Sequence, residues 1–191
     1  MTILILGLIL FLGIHSVSIF ARGWRSTIIA RRGEGAWKGL YSVVALVGLV
    51  LIVFGYGLAR EQPVVLYDPP RALRHLALLL MVPVFPLLIA AQLPSHLKNV
   101  AKHPMLLATK LWAVAHLLAN GTAADVLLFG GFLVWAVADR ISVKRRPVVA
   151  GPARATAWPR NDMIAVVGGL ALYAIFMLGA HAWLIGVSPL G

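Results

Sequence analysis

Apolar residues fall into six runs along the 191-residue chain, at about 2–20, 39–59, 73–93, 105–120, 123–139 and 162–185. Each is close to the roughly 20 residues a helix needs to cross about 30 Å of hydrocarbon. The pattern predicts an all-α fold, a polytopic membrane helix bundle of six transmembrane helices in a single domain over 1–191. The connecting segments, of which 21–38 and 140–160 are the longest, are too short to fold alone. The first run has no basic residue before Arg22 and exceeds the apolar core of about 7–15 residues of a signal peptide, so it reads as an uncleaved anchor. Pro104 suits the first turn of the fourth span, and Asn120-Gly121 ends it. Thr122 with Asp125 spells a capping box for the fifth, and Asn161 is a candidate cap for the sixth. Pro83 and Pro86 lie inside the third run, where they should kink the helix and leave carbonyls for neighbouring helices to satisfy.

Composition removes several classes of function. Hydrophobic residues make up 61% and charged residues 12%, against about 25% charged in soluble domains. The chain has no cysteine, which excludes disulfides, thiolate-bound zinc, iron–sulfur clusters and covalent haem attachment through C-x-x-C-H. Of the 17 Lys and Arg, thirteen fall on one side of the predicted bundle. They are Arg22, Arg25, Arg31, Arg32, Lys38, Lys98, Lys102, Arg140, Lys144, Arg145, Arg146, Arg154 and Arg160. By the positive-inside rule that side is cytoplasmic and both termini are periplasmic, in a bacterial inner membrane. The net charge of +11 therefore belongs to topology and to anionic headgroups of the lipid bilayer, and no nucleic-acid partner is expected.

Ionisable residues at the centre of a span cost about 2.5–3.5 kcal/mol each and call for a reason. His15, Lys110, His116 and His181 are such residues. In the fourth span Thr109, Trp112, His116 and Asn120 form one stripe, and in the sixth Tyr173, Met177 and His181 form another. Histidines on facing helices can hold a haem or a metal; they can equally hydrogen-bond a neighbouring helix. At about 1.5 Å per residue, His116 and His181 sit about 6 and 10 Å to the periplasmic side of their span centres, so depth pairs these two. His15 sits about 6 Å to the other side by the same count. Lys110, one turn inside its span, suits snorkelling to headgroups or pairing with a haem propionate. No Ser-His-Asp order, Gly-rich phosphate loop or H-E-x-x-H occurs.

The segments GIHS, GEGAWKGLYSVVALVGLVLIVFGY, KHPMLLATKLWAVAHLLANG, FGGFLVWAVADR and AHAWLIGVSP together resemble the NnrU family of membrane proteins over nearly the whole chain. That resemblance implies a role in denitrification, in nitrite and nitric oxide reduction. It also relates the chain to 15-cis-zeta-carotene isomerase, and so implies a non-covalent haem b. On the matching motifs the axial ligands would be His15, in GIHS, and His116, in WAVAH, with His181 in reserve. Trp112, Asn120, Lys110 and His103 complete the expected cofactor site. Nitric oxide or an apolar substrate, and a respiratory reductase, are the implied partners. Three other functions remain open at this point: cis–trans isomerisation of a polyene, assembly of a reductase without catalysis, and methyl transfer. The last rests on Lys102-His103-Pro104, which resembles the Arg-His-Pro motif of membrane methyltransferases that bind S-adenosylmethionine.

Overall fold

The structure is a computed structural model in which residues 1–145 and 158–190 are described; the basic residues Arg146 and Arg154 lie outside them. The described residues are helical, with an isolated antiparallel bridge between Val65 and Thr122 and no strand. Among the described residues, five helical segments are long and apolar enough to cross a membrane: 2–20, 22–61, 71–92, 123–144 and 159–185. The sixth predicted span is the helix Pro104–Ala119, which has 16 residues and is about 24 Å long. Large apolar side chains such as Phe54, Leu79, Val134 and Leu178 are exposed, as lipid-facing positions would be.

The chain divides into two compact units, one of 1–68 with 120–144, the other of 69–119 with the chain from Arg145 onward. The first unit packs α1 (Thr2–Phe20), α2 (Arg22–Glu61) and α7 (Ala123–Lys144). Helices α1 and α2 run antiparallel, with residue 4 against 55, 7 against 52 and 11 against 48. Lipid tails are as apolar as leucine, so such a seam is held by close packing of small residues. A Cβ on Gly7 would lie 2.6 Å from Ile52 N, one on Gly48 2.7 Å from Phe11 N, and one on Gly55 would run into Leu4 N.

The segment 21–38 is a correction to the expected loop. It is helical from Arg22 onward and continues into the second span across a break at Gly33 (φ 83°, ψ 161°), a conformation open essentially to glycine alone. The Ser26 and Thr27 hydroxyls donate to the carbonyls of Arg22 and Gly23. Trp24 packs edge-on against Trp37 at 5.8 Å, and the Arg25 guanidinium lies 5.9 Å over the same ring. Charge density made this stretch look like a loop, but its arginines are good helix formers and the indoles give it something to pack on.

The capping box forms as predicted. The Thr122 backbone N–H and hydroxyl donate to Asp125 Oδ2 at 2.9 and 2.6 Å, and the Asp125 N–H donates to Thr122 Oγ1 at 3.3 Å. Asp125 is buried, and its other oxygen accepts the Tyr56 hydroxyl from α2 at 2.5 Å. The N–H groups of Leu66 and Tyr67 donate to the Gly121 carbonyl, and Ala123 N–H donates to Val64 O. One carboxylate thus joins α2, α7 and the segment before α7.

The second unit holds α3 (Arg71–Met81), α4 (Val84–Gln92), α5 (His96–Ala101), α6 (Pro104–Ala119) and α8 (Pro159–Ile175), then a π-helical turn (Phe176–Ala180) and α9 (His181–Ile185). Pro83 and Pro86 break the third span between α3 and α4, as expected. Val82 N–H turns to Leu79 O, which leaves the Leu78 carbonyl to accept the Tyr173 hydroxyl of α8 at 3.0 Å. Pro86 is buried in turn against Gly169 of α8, where a Cβ would collide with its ring and backbone nitrogen. Asn161 is not the cap of α8: Trp158 occupies that position, and the Asn161 amide donates to Pro94 O. Pro159 and its fixed φ start the helix one turn earlier than the side-chain signal suggested.

Candidate functional site

Within the second unit, His116 lies in the last turn of α6 and His181 opens α9, and their rings lie 6.4 Å apart at 27°. Each imidazole is held by a backbone carbonyl. His116 Nδ1 is 2.8 Å from the Trp112 carbonyl one turn earlier, and His181 Nδ1 is 2.7 Å from the Val187 carbonyl. A carbonyl can only accept, so Nδ1 carries a proton in both rings, and in the neutral imidazole Nε2 is then the nitrogen with the lone pair. Metal-binding histidines are fixed in this way: the far N–H is anchored and the near nitrogen presents its lone pair.

Local sequence explains both anchors. In α6 the i, i+4 spacing puts Trp112 O beneath His116, and the two side chains also touch, with ring centroids at 5.2 Å. Trp112 packs in turn on the cluster of Val84, Leu87 and Ala108. Around His181 the chain follows an unexpected path. The π turn 176–180 inserts an extra residue's rotation before it, and the left-handed Gly186 (φ 79°) ends α9, which lets Val187 O return to the ring. The π turn rotates His181 away from the straight stripe through Tyr173 and Met177. Sequence periodicity carries no signal for such a turn, although π turns recur at functional sites.

The other predicted residues are placed as follows. Lys110 and Thr109 are half-buried on α6, and the Thr109 hydroxyl bonds back to Met105 O. Asn120 follows α6 and is half-buried. His103 lies in the turn between α5 and α6, where its N–H donates to Ala101 O at 2.6 Å. Lys102 between them has φ 60° and ψ −44°, a γ-turn that is rare and strained. Two histidines outside the predicted site differ from each other: His75 is exposed, whereas His96 Nδ1 lies 2.7 Å from Asp162, whose carboxylate also accepts the His96 and Leu97 N–H groups.

His15 belongs to the first unit and has its own surroundings. Its Nδ1–H donates to Phe11 O at 2.6 Å, so its Nε2 is also the imine nitrogen. The Phe11 ring stacks on it at 4.2 Å, and Tyr41 and Trp135 approach at 5.1 and 5.8 Å. Trp135 was not singled out by the sequence. Its Nε1–H is buried with no hydrogen-bond partner, a state that costs about 1–3 kcal/mol.

No group of three or more His, Cys, Asp or Glu positioned to hold a bare metal ion occurs among the described residues. A haem iron takes four nitrogens from its own macrocycle and asks the protein for one or two axial ligands. Two anchored imidazoles from different helices, with Trp112 beside one of them, fit that demand. The two rings are stacked, with centroids 6.4 Å apart and planes at 27°, and either or both would hold such an iron through Nε2.

Comparison with known proteins yields no matching curated protein and no matching solved structure. The family model described as NnrU protein matches residues 3–189, and with that coverage the chain belongs to the NnrU family.

Proposed function

We propose that this chain is a haem b protein of the bacterial inner membrane that supports nitrite and nitric oxide reduction in denitrification, with His116 as an axial ligand. The observation that carries the reading is the His116–His181 pair, with both Nδ1–H groups anchored on carbonyls and the rings 6.4 Å apart. His181 is the partner ligand that this contact favours, and His15 is the one that the family resemblance favours. Haem iron, when bound, would supply one-electron exchange and a site for a diatomic gas. The chain's own part is to fix the imidazoles: Trp112 O and Val187 O hold each Nδ1–H, so that the neutral ring offers its lone pair at Nε2, and Trp112 packs on Val84, Leu87 and Ala108. The link to denitrification comes from family membership, and a respiratory reductase is the partner it implies.

The test is the haem-to-protein ratio, measured as the pyridine haemochrome on protein from haem-supplied cells. His116→Ala should lose at least nine-tenths of the haem, and whichever of His181→Ala and His15→Ala does the same names the second ligand. Normal haem content in His116→Ala would overturn the reading.

The same proposal places both termini in the periplasm and counts α6 as a sixth, short span. Because the chain has no cysteine, single cysteines report sidedness without background. A cysteine at Thr27 should be shielded from a membrane-impermeant maleimide in intact spheroplasts, and one at Val65 should be labelled. The reverse pattern would invert the topology.

A further inference from the structure

Three helices of the first unit converge on His15: Phe11 comes from α1 itself, Tyr41 from α2 and Trp135 from α7. Trp135 stands edge-on to the imidazole, at 90°, and its buried Nε1–H has no partner. An indole can only donate, and buried donors are paired in the great majority of native structures. No acceptor lies within hydrogen-bond range of the indole, although the Asp139 carboxylate stands one turn further along α7, and a bound ligand can supply one. His15 offers the opposite function, since Phe11 O holds its Nδ1–H and leaves Nε2 to accept. The site is five residues from the end of α1, near one end of an apolar helix whose outer face carries exposed Leu6 and Ile9.

A donor and an acceptor among aromatic faces, at the end of a lipid-facing helix, match a flat ring that bears oxygen and reaches the site from the bilayer. A hydrocarbon polyene has no acceptor for the indole. We propose that this cage binds the headgroup of a membrane-soluble 1,4-quinone and its quinol, with the Trp135 indole donating to a ring oxygen and His15 Nε2 accepting from a quinol hydroxyl. The inference uses residues of the first unit alone and requires that the second haem ligand beside His116 not be His15.

The experiment is calorimetric titration of full-length protein in mild detergent with decylubiquinone and, separately, decylubiquinol. Trp135→Phe, His15→Ala and the control Trp183→Phe, whose ring is 84% exposed, are titrated beside wild type after circular dichroism and melting show each to be folded. Wild type should bind at one saturable site. Trp135→Phe should weaken both ligands about 3–10-fold, the worth of one hydrogen bond. His15→Ala should weaken the quinol more than the quinone, and Trp183→Phe should change neither. The carbonyl stretch of bound decylubiquinone should move toward its free value in Trp135→Phe, a change that a packing defect would not produce. Absence of saturable binding to wild type, or equal affinities in wild type and Trp135→Phe, would overturn the proposal. So would loss of haem from His15→Ala with its quinone and quinol affinities unchanged, which would assign the cage to haem instead.

Discussion

Gly55→Leu should unfold the α1–α2 pair at markedly lower temperature than wild type. A side chain there meets the backbone of Ile3 and Leu4, which cannot rotate aside as the tip of a side chain would. Overpacking typically costs about 1–3 kcal/mol and more where nothing can yield; about 3 kcal/mol is expected. The control lies two residues on, at Gly57, where a Cβ meets nothing within 4 Å. Gly57→Leu should melt with wild type. Measured in detergent by circular dichroism, equal melting of the two variants would show that the seam is looser than the register 4 to 55, 7 to 52 and 11 to 48 requires.

The second large effect is expected at Asp125. Its two oxygens take the Tyr56 hydroxyl, the Thr122 N–H and the Thr122 hydroxyl, and the residue is 4% exposed. Asp125→Ala removes an acceptor from all three donors, and hydrogen bonds to a charged group are worth about 1.5–3 kcal/mol each. Allowing for donors that find new partners, a loss on the order of 3 kcal/mol is expected, with Asp125→Asn smaller. Tyr56→Phe in the Asp125→Ala background should cost much less than Tyr56→Phe alone, because the hydroxyl's partner is already gone. A double-mutant cycle with no coupling would show that this contact does not tie α2 to α7.

What the sequence revealed depended on how local each signal was. Thr122 and Asp125 could be read as a capping box because both ends of that interaction lie within one turn. Pro83 and Pro86 announced the broken third span, since proline acts on its own helix. The donor that completes Asp125 on the other side was invisible: Tyr56 is 69 residues away, and only the packing of α2 on α7 brings it near. The helix at Arg22–Arg32 was missed because charge was taken as a sign of a loop, while the Trp24–Trp37 contact that holds it is formed across the Gly33 break. Asn161 looked like a cap by residue type, but Pro159 had already begun the helix.

At the candidate site, helical rise paired His116 with His181, whose rings lie 6.4 Å apart, whereas the family resemblance paired His116 with His15 and held His181 in reserve. The π turn before His181 and the return of Val187 O to its ring were not legible, because both depend on a backbone irregularity with no side-chain signature. Trp135 left no mark either. A tryptophan in an apolar span is ordinary, and only the lack of a hydrogen bond to its buried N–H sets it apart.

On the proposed reading His116, together with a second histidine, would hold a haem iron through Nε2. The most direct measurement is the electron paramagnetic resonance spectrum of ferric protein purified from haem-supplied cells. A low-spin signal of two imidazole ligands, from about one haem per chain and replaced by a high-spin signal in His116→Ala, is the predicted result. A folded, colourless wild type, or a low-spin signal unchanged by His116→Ala, would contradict it.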